Sequence, residues 1–258
     1  RGGKIEALSA APLEARTVID ARGLVVSPGF IDLHWHGTNP ASGRWQAMEG
    51  VTAALELEIG VGDIPKWYSE REGKSIIHFG AAIGHPPVRM AAMGDPGDFL
   101  PAGAAAHDRA TPQQLEAIAR GFEEGLRQGA PAAGFGIAYT QSAPFREVLD
   151  LFRIAARYGA TCHVHVRGAS SAAGQAADRE MGLAEAIAAA AISGAPLHMV
   201  HINSSSQSSI GSMLEIVEEA RNRGLDVTTE AYPYTAGATR IESALFDDYL
   251  DQPAEVYQ

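Results

Sequence analysis

The sequence predicts an α/β fold of the (β/α)8 barrel type, and three observations carry that expectation. Short apolar runs alternate with amphipathic stretches from residue 28 onward, the order that builds a parallel sheet with helical crossovers. Seven such runs can be counted along the 258 residues, about the length one barrel uses, whereas a closed barrel has eight strands. Four of the runs end in histidine or glutamate, and the C-terminal ends of barrel strands are where that fold places its chemistry.

Ahead of the first barrel strand, residues 4–8 and 17–26 read as two or three short strands, with Gly23 between them. Strand one, residues 30–33, is entered through the Pro28-Gly29 turn. The further strands are expected at 52–59, 75–83, 133–138, 161–166, 197–202 and 226–231. Helices are expected at 42–49, 64–72, 111–129, 145–158, 182–193 and 208–223. In the clearest of them Thr111 is the N-cap, Pro112 takes the first helical position and Gly129 ends the helix. Val148, Leu151, Phe152 and Ala155 share one face of the helix at 145–158. Residues 84–109 exceed an ordinary βα connection and are expected to fold over a site or a partner.

A net charge of −11 without a Lys/Arg run argues against a nucleic-acid partner. No apolar run approaches the roughly 20 residues that span a bilayer, so no membrane partner is expected. The single Cys162 excludes an intrachain disulfide framework and fits a reducing compartment. Residues 1–12 lack the apolar segment of a signal peptide. The expected location is cytoplasmic.

The chemistry begins in SPGFIDLHWHG, where His34 and His36 stand at i and i+2. Side chains alternate along a strand, so both rings leave on one face, as half of a transition-metal site would need; two solvent-facing histidines are the plain alternative. LELEI carries Glu56 and Glu58 on one face of the second strand. A buried glutamate without a partner is costly, so at least one of the two needs a cation; the other is a ligand too or a structural carboxylate. CHVHVRG carries His163 and His165, with Arg167 beyond, and LHMVHIN ends in His201. His165 is the candidate ligand of its pair, because His163 lies deeper along the strand. His198 reads as structural, His78 and His85 as lone histidines, and His107 has no assigned role.

PGFIDLHWHG, HVHVRG, HMVHINSSS and TTEAYPYTAG together resemble the amidohydrolase superfamily, in its N-acyl-D-amino-acid deacylase branch. GVTAALELEIG further resembles the N-acyl-D-glutamate deacylase-like subgroup. The resemblance implies a zinc-dependent hydrolase, with one or two ions, cleaving the amide of a small N-acyl amino acid. It implies metal ligation by His34, His36, His165 and His201. Many members bridge two metals through a carboxylated fourth-strand lysine, but Lys4, Lys66 and Lys74 are the only lysines here and none is near that strand. The branch uses a second-strand cysteine instead, and an ungapped match puts Ile59 there with Glu58 directly before it. Glu58, or else Glu56, is therefore expected to replace the thiolate. Tyr139 and Tyr232 match tyrosines that hold the substrate carboxylate. Asn203 stands where the branch has a lysine and Ala238 where it has a serine, and Arg240 is the candidate to restore the lost charge.

The resemblance also sets the expected domains: residues 1–27 as part of a small β-sandwich domain, residues 28–258 as a barrel lacking its eighth strand. The family's general-base aspartate follows that eighth strand, and Asp247, Asp248 and Asp251 match nothing in the pattern. The missing strand is expected from a longer parent chain, or from exchange between chains in a homo-oligomer. Besides the deacylase, two other readings stand: a cyclic amidase or dipeptidase, against which the absent fourth-strand lysine counts, and an inactive metal-binding scaffold.

Overall fold

Apolar runs joined by helices leave the chain one direct way to pair its strands, each beside its predecessor. The computed structural model, which describes residues 2–37, 40–168, 176–240, 243 and 246, follows it. Its strands are β1 (Phe30–Asp32), β2 (Val51–Val61), β3 (His78–Gly84), β4 (Ala132–Gly136), β5 (Thr161–His165), β6 (Leu197–Met199) and β7 (Val227–Thr229). They form one seven-stranded sheet in sequential order, every pair parallel, curled as part of a barrel. The helices are α1 (Pro40–Met48), α2 (Ile64–Ser69), α3 (His85–Met93), α4 (Ala104–His107), α5 (Pro112–Arg127), α6 (Phe145–Arg157), α7 (Ala176–Ser193), α8 (Ile202–Ser206) and α9 (Ile210–Asn222).

The core lies between the sheet and its helices. Val148, Leu151, Phe152 and Ala155, the apolar face of α6, are all buried, and Phe135 of β4 stacks against both Phe152 and Phe122. Each buried aromatic of this kind contributes about 1.5–3 kcal/mol relative to an exposed one. Thr111 and Gln114 form the reciprocal cap of α5, with Pro112 at its first position as expected.

Three expectations need correction. Residues 4–8 and 17–26 form no strand among the described residues; Ile5, Leu8, Val18, Ile19, Val25 and Val26 are exposed. Alternation alone does not make a strand without a neighbour to complete its ladder. Residues 84–109 contain α3 and α4 rather than a single loop. Pro86 and Pro87 read as breakers, but a first helical turn tolerates proline because its N–H groups have no helical partner. Strand β6 stops at Met199, earlier than expected, and His201 caps α8 with φ of 32°. Asp248 and Asp251, like Asp247, lie outside the described residues.

Two polar clusters fix the segment between α3 and α5. Arg89, wholly buried, donates through Nη1 to both Glu147 oxygens (2.5 and 2.6 Å), through Nε to the Ala105 carbonyl (2.8 Å) and through Nη2 to that of Asp108 (2.5 Å). His85 Nε2 meets the same Glu147 carboxylate at 2.9 Å. Nearby, the Asp95 carboxylate accepts the backbone N–H groups of Gly97, Ala102, Gly103 and Ala105 at 2.8–3.0 Å. Partial burial would raise its pKa, but these four donors outweigh that and hold it below the usual carboxylate value. The wall so built carries Phe99 to the strand ends, where its ring lies 5.4 Å from that of His36.

Candidate metal centre

Strand β2 is where the site is decided. Glu56 pairs with Ala81 of β3 and Val61 with Ile83, so residues 57–60 stand against residue 82 alone. Such a bulge bends a strand and re-aims its side chains. Gly60 closes it at φ +67°, where a Cβ would sit 2.7 Å from the Ala82 carbonyl oxygen, so a side chain has no room. Glu58 lies inside the bulge, 2% exposed, and Glu56 lies just before it.

Glu58 is the common partner. Its Oε2 is 2.9 Å from Nε2 of both His34 and His36, while its Oε1 is 2.5 Å from His165 Nδ1 and 3.5 Å from His201 Nε2. Two groups of ligand-type atoms result, His34–His36–Glu58 and Glu58–His165–His201, each spanning at most 4.8 Å. Four histidines, two from the segment after β1, one from β5 and one from the β6–α8 turn, thus converge on one carboxylate from β2.

The outer partners bear on the tautomers. An ionised carboxylate only accepts hydrogen bonds, so a ring nitrogen against one carries its proton. Glu56 Oε2 faces His36 Nδ1 at 2.7 Å and Glu230 Oε1 faces His34 Nδ1 at 2.5 Å. Nε2 of each ring also lies 2.9 Å from Glu58 Oε2, so a neutral ring can donate to only one of its two carboxylates. With Nδ1 protonated toward Glu56 or Glu230, both Nε2 atoms present lone pairs, 3.1 Å apart, against an acceptor oxygen of Glu58. Three acceptors converging in this way need a cation, either protons or a divalent metal. The donor set of imidazoles and a carboxylate suits zinc-type metals, and the arrangement fits such an ion.

Without metal, protons fill the role. Burial opposes charge on His34, but Glu230 and Glu58 outweigh it and push its pKa up to about 9. Burial likewise opposes charge on His36, and Glu56 and Glu58 raise it to about 10. Burial would raise Glu58, yet His165, His201 and His34 hold it well below the usual range. Burial pushes His165 down, despite Glu58. A raised imidazole pKa stabilises the fold fully below the unfolded value near 6.5, and that stability is lost as pH rises through the folded value. The chelator-treated protein is therefore expected to melt at a lower temperature at pH 10.5 than at pH 6, with a smaller difference in His36→Gln. Equal pH dependence in the two proteins would contradict the coupling.

The remaining sequence candidates surround this centre. Glu56 stays one step out, its Oε1 accepting from Gly60 N at 3.2 Å. Tyr139 stacks edge-on to His165 at 5.0 Å, and its Oη lies 3.3 Å from Thr239 Oγ1. Burial pushes the Tyr139 phenol up, so it remains a neutral donor. Tyr232 lies 6.4 Å from His201, ring to ring. Asn203 turns its amide to the Tyr232 backbone, donating to the carbonyl at 3.1 Å and accepting from the N–H at 3.4 Å. Arg240 reaches Asp98 at 3.6 Å and lies over the Phe99 ring at 5.3 Å. Arg167 is committed elsewhere, to Glu185 and to the carbonyls of Thr140, Gln141 and Ala143. His85 belongs to the Arg89 cluster and His163 stacks on His198 at 4.7 Å, away from the two groups. Glu230, absent from the sequence candidates, is the residue that reasoning missed. Its one sequence signal was its place directly after the seventh strand, in TTEAYPY.

The amidohydrolase family profile matches residues 17–249. The chain belongs to the amidohydrolase family. Among curated amidohydrolase relatives, it is 28% identical over 273 aligned residues to the N-acyl-D-glutamate deacylase of Alcaligenes xylosoxydans xylosoxydans, covering 93% of this chain and 53% of that protein. It is 29% identical over 238 aligned residues to the allantoinase of Rubrobacter xylanophilus, covering 85% and 50%. The fold is shared with a D-aminoacylase described by its binuclear metal centre, at a TM-score of 0.63 and 19% identity, over 81% of this chain and 48% of that one. The chain spans about half the length of the curated relatives it matches. No helix among the described residues is long and apolar enough to cross a membrane.

Proposed function

We propose that this chain carries the metal-binding part of a zinc-dependent amidohydrolase that cleaves the amide bond of N-acyl-D-amino acids, with N-acyl-D-glutamate as the leading substrate. One observation carries the reading: a single buried carboxylate, Glu58, is shared between two histidine groups at the C-terminal ends of parallel strands. His34, His36 and Glu58 would hold one ion, and Glu58, His165 and His201 a second. A divalent ion supplies Lewis acidity toward the amide carbonyl and lowers the pKa of water toward about 7.

The chain's own residues do the rest. Glu56 and Glu230 keep the His36 and His34 lone pairs aimed inward. Tyr139 and Tyr232 are the hydroxyl donors for the substrate carboxylate. Asn203 acts on Tyr232 indirectly, by fixing its backbone. Arg240 is the cation for an anionic substrate, exchanging its exposed Asp98 partner for a substrate carboxylate. Residues 1–27 belong in this reading to the small β-sandwich domain, and residues 28–258 to the catalytic barrel.

The likeness to allantoinase supports a second reading, hydrolysis of a cyclic amide. Zinc-loaded protein, assayed beside a C-terminally extended chain, separates the two. Turnover of N-acetyl-D-glutamate above N-acetyl-L-glutamate and allantoin is expected, with KM rising about tenfold or more in Arg240→Gln, the scale of one charge-assisted hydrogen bond. Turnover of allantoin alone would overturn the deacylase reading.

A further inference from the structure

We infer that Glu230 is a positioning residue that orients one histidine from each half of the metal centre; the inference rests on the metal-site reading above. Its carboxylate touches no ligand-facing atom of the cluster. Instead Oε1 takes His34 Nδ1 at 2.5 Å and the backbone N–H of His201 at 3.3 Å. The first contact fixes the His34 tautomer and turns its Nε2 toward Glu58. The second acts on the main chain. His201 has φ of 32°, a left-handed conformation that side-chain-bearing residues seldom adopt, and needs a local partner to hold it.

The chain places Glu230 by two further backbone bonds, Glu230 N to the Met199 carbonyl at 3.3 Å and Ile202 N to the Glu230 carbonyl at 2.9 Å. These straddle His201 and tie the end of β7 to the β6–α8 turn. From the far side, His198 brings Nε2 to 3.3 Å of Oε2, its own Nδ1 resting 2.8 Å from Thr228 Oγ1, and His163 stacks on its ring. The two deeper histidines, which have no place among the ligand groups, thus acquire one: they brace the acid that orients the ligands. Glu230 does for His34 what Glu56 does for His36, and additionally reaches across to His201.

Orienting carboxylates behind metal-bound histidines typically change metal affinity by 10–100-fold when removed. Zinc titrated alone into the chain against a chromophoric chelator tests this. Glu230→Gln keeps the shape and loses the charge, and is expected to bind zinc about 10–100-fold more weakly. Glu230→Asp, a methylene shorter, is expected to fall between it and the wild type. Long-range 15N–1H spectra of the metal-free chain, taken above the His34 pKa of about 9 so that the ring is neutral, give a second readout: His34 carries its proton on Nδ1 in the wild type and loses that preference in Glu230→Gln. Wild-type affinity and an unchanged His34 tautomer in both variants would overturn the inference while leaving the metal site standing. A wild-type chain that takes up no zinc would overturn the metal reading and this inference together.

Discussion

On the proposed function, replacing Glu58 by alanine is expected to weaken zinc binding by more than about 100-fold, beyond the span typical of outer-shell partners, and to abolish hydrolysis. Glu58 is the only residue common to both histidine groups, so its loss dismantles both at once. The carboxylate also supplies the negative charge against which four imidazoles are gathered, at 2.5–3.5 Å. Glu58→Gln is expected to behave nearly as badly, because an amide cannot neutralise a cation, whereas Glu56→Gln is expected to lose only about 10–100-fold, acting through the His36 tautomer. Metal content after dialysis, with circular dichroism to confirm folding, measures all three. Near-native zinc content in Glu58→Ala would reject the shared-carboxylate site.

The second large effect is on stability. Arg89→Ala is expected to cost about 3–5 kcal/mol, the range for removing one partner of a buried ion pair. The guanidinium is wholly buried and its four bonds tie together three segments, so the substitution leaves the Glu147 carboxylate with His85 as its remaining partner and frees the carbonyls of Ala105 and Asp108. Urea unfolding of Arg89→Ala and of the double variant Arg89→Met/Glu147→Leu checks it. The double variant is expected to recover most of the loss, since apolar groups of similar volume commonly replace a buried pair without penalty. A loss below about 1 kcal/mol in Arg89→Ala, the level of a surface pair, would show the cluster to be solvated in practice. Phe99 lies on the segment this cluster pins, so a weakened cluster also loosens the contact with His36.

The barrel strands were legible because each apolar run sits between helical patterns, and β1 to β7 pair in the order the alternation implies. The four histidines were legible because strand ends are where such a fold puts its chemistry. Which of Glu56 and Glu58 sits between the two histidine groups was not, since a spacing of two puts both on one face and only the bulge at residues 57–60 separates their positions. Glu230 was hidden for a different reason: it acts on His34 across 196 positions, and no local pattern encodes such a pairing. Asn203 was visible as a polar group at the right place, but its bond to the Tyr232 backbone depends on the turn after β7. Helix α3 was masked by Pro86 and Pro87, whose meaning reverses with position in a helix.

The irregular stretch of β2 bears on how such centres diversify. In a strictly laddered strand, swapping which residue faces the histidines means sliding every neighbour by one place and turning its inward side chains outward. Where several residues loop past one, the inward side chain can shift along the strand while the flanking pairs at Glu56–Ala81 and Val61–Ile83 stay put. The kink that seats Glu58 is thus also the spot where a different side chain could be presented to the four imidazoles without unmaking the sheet.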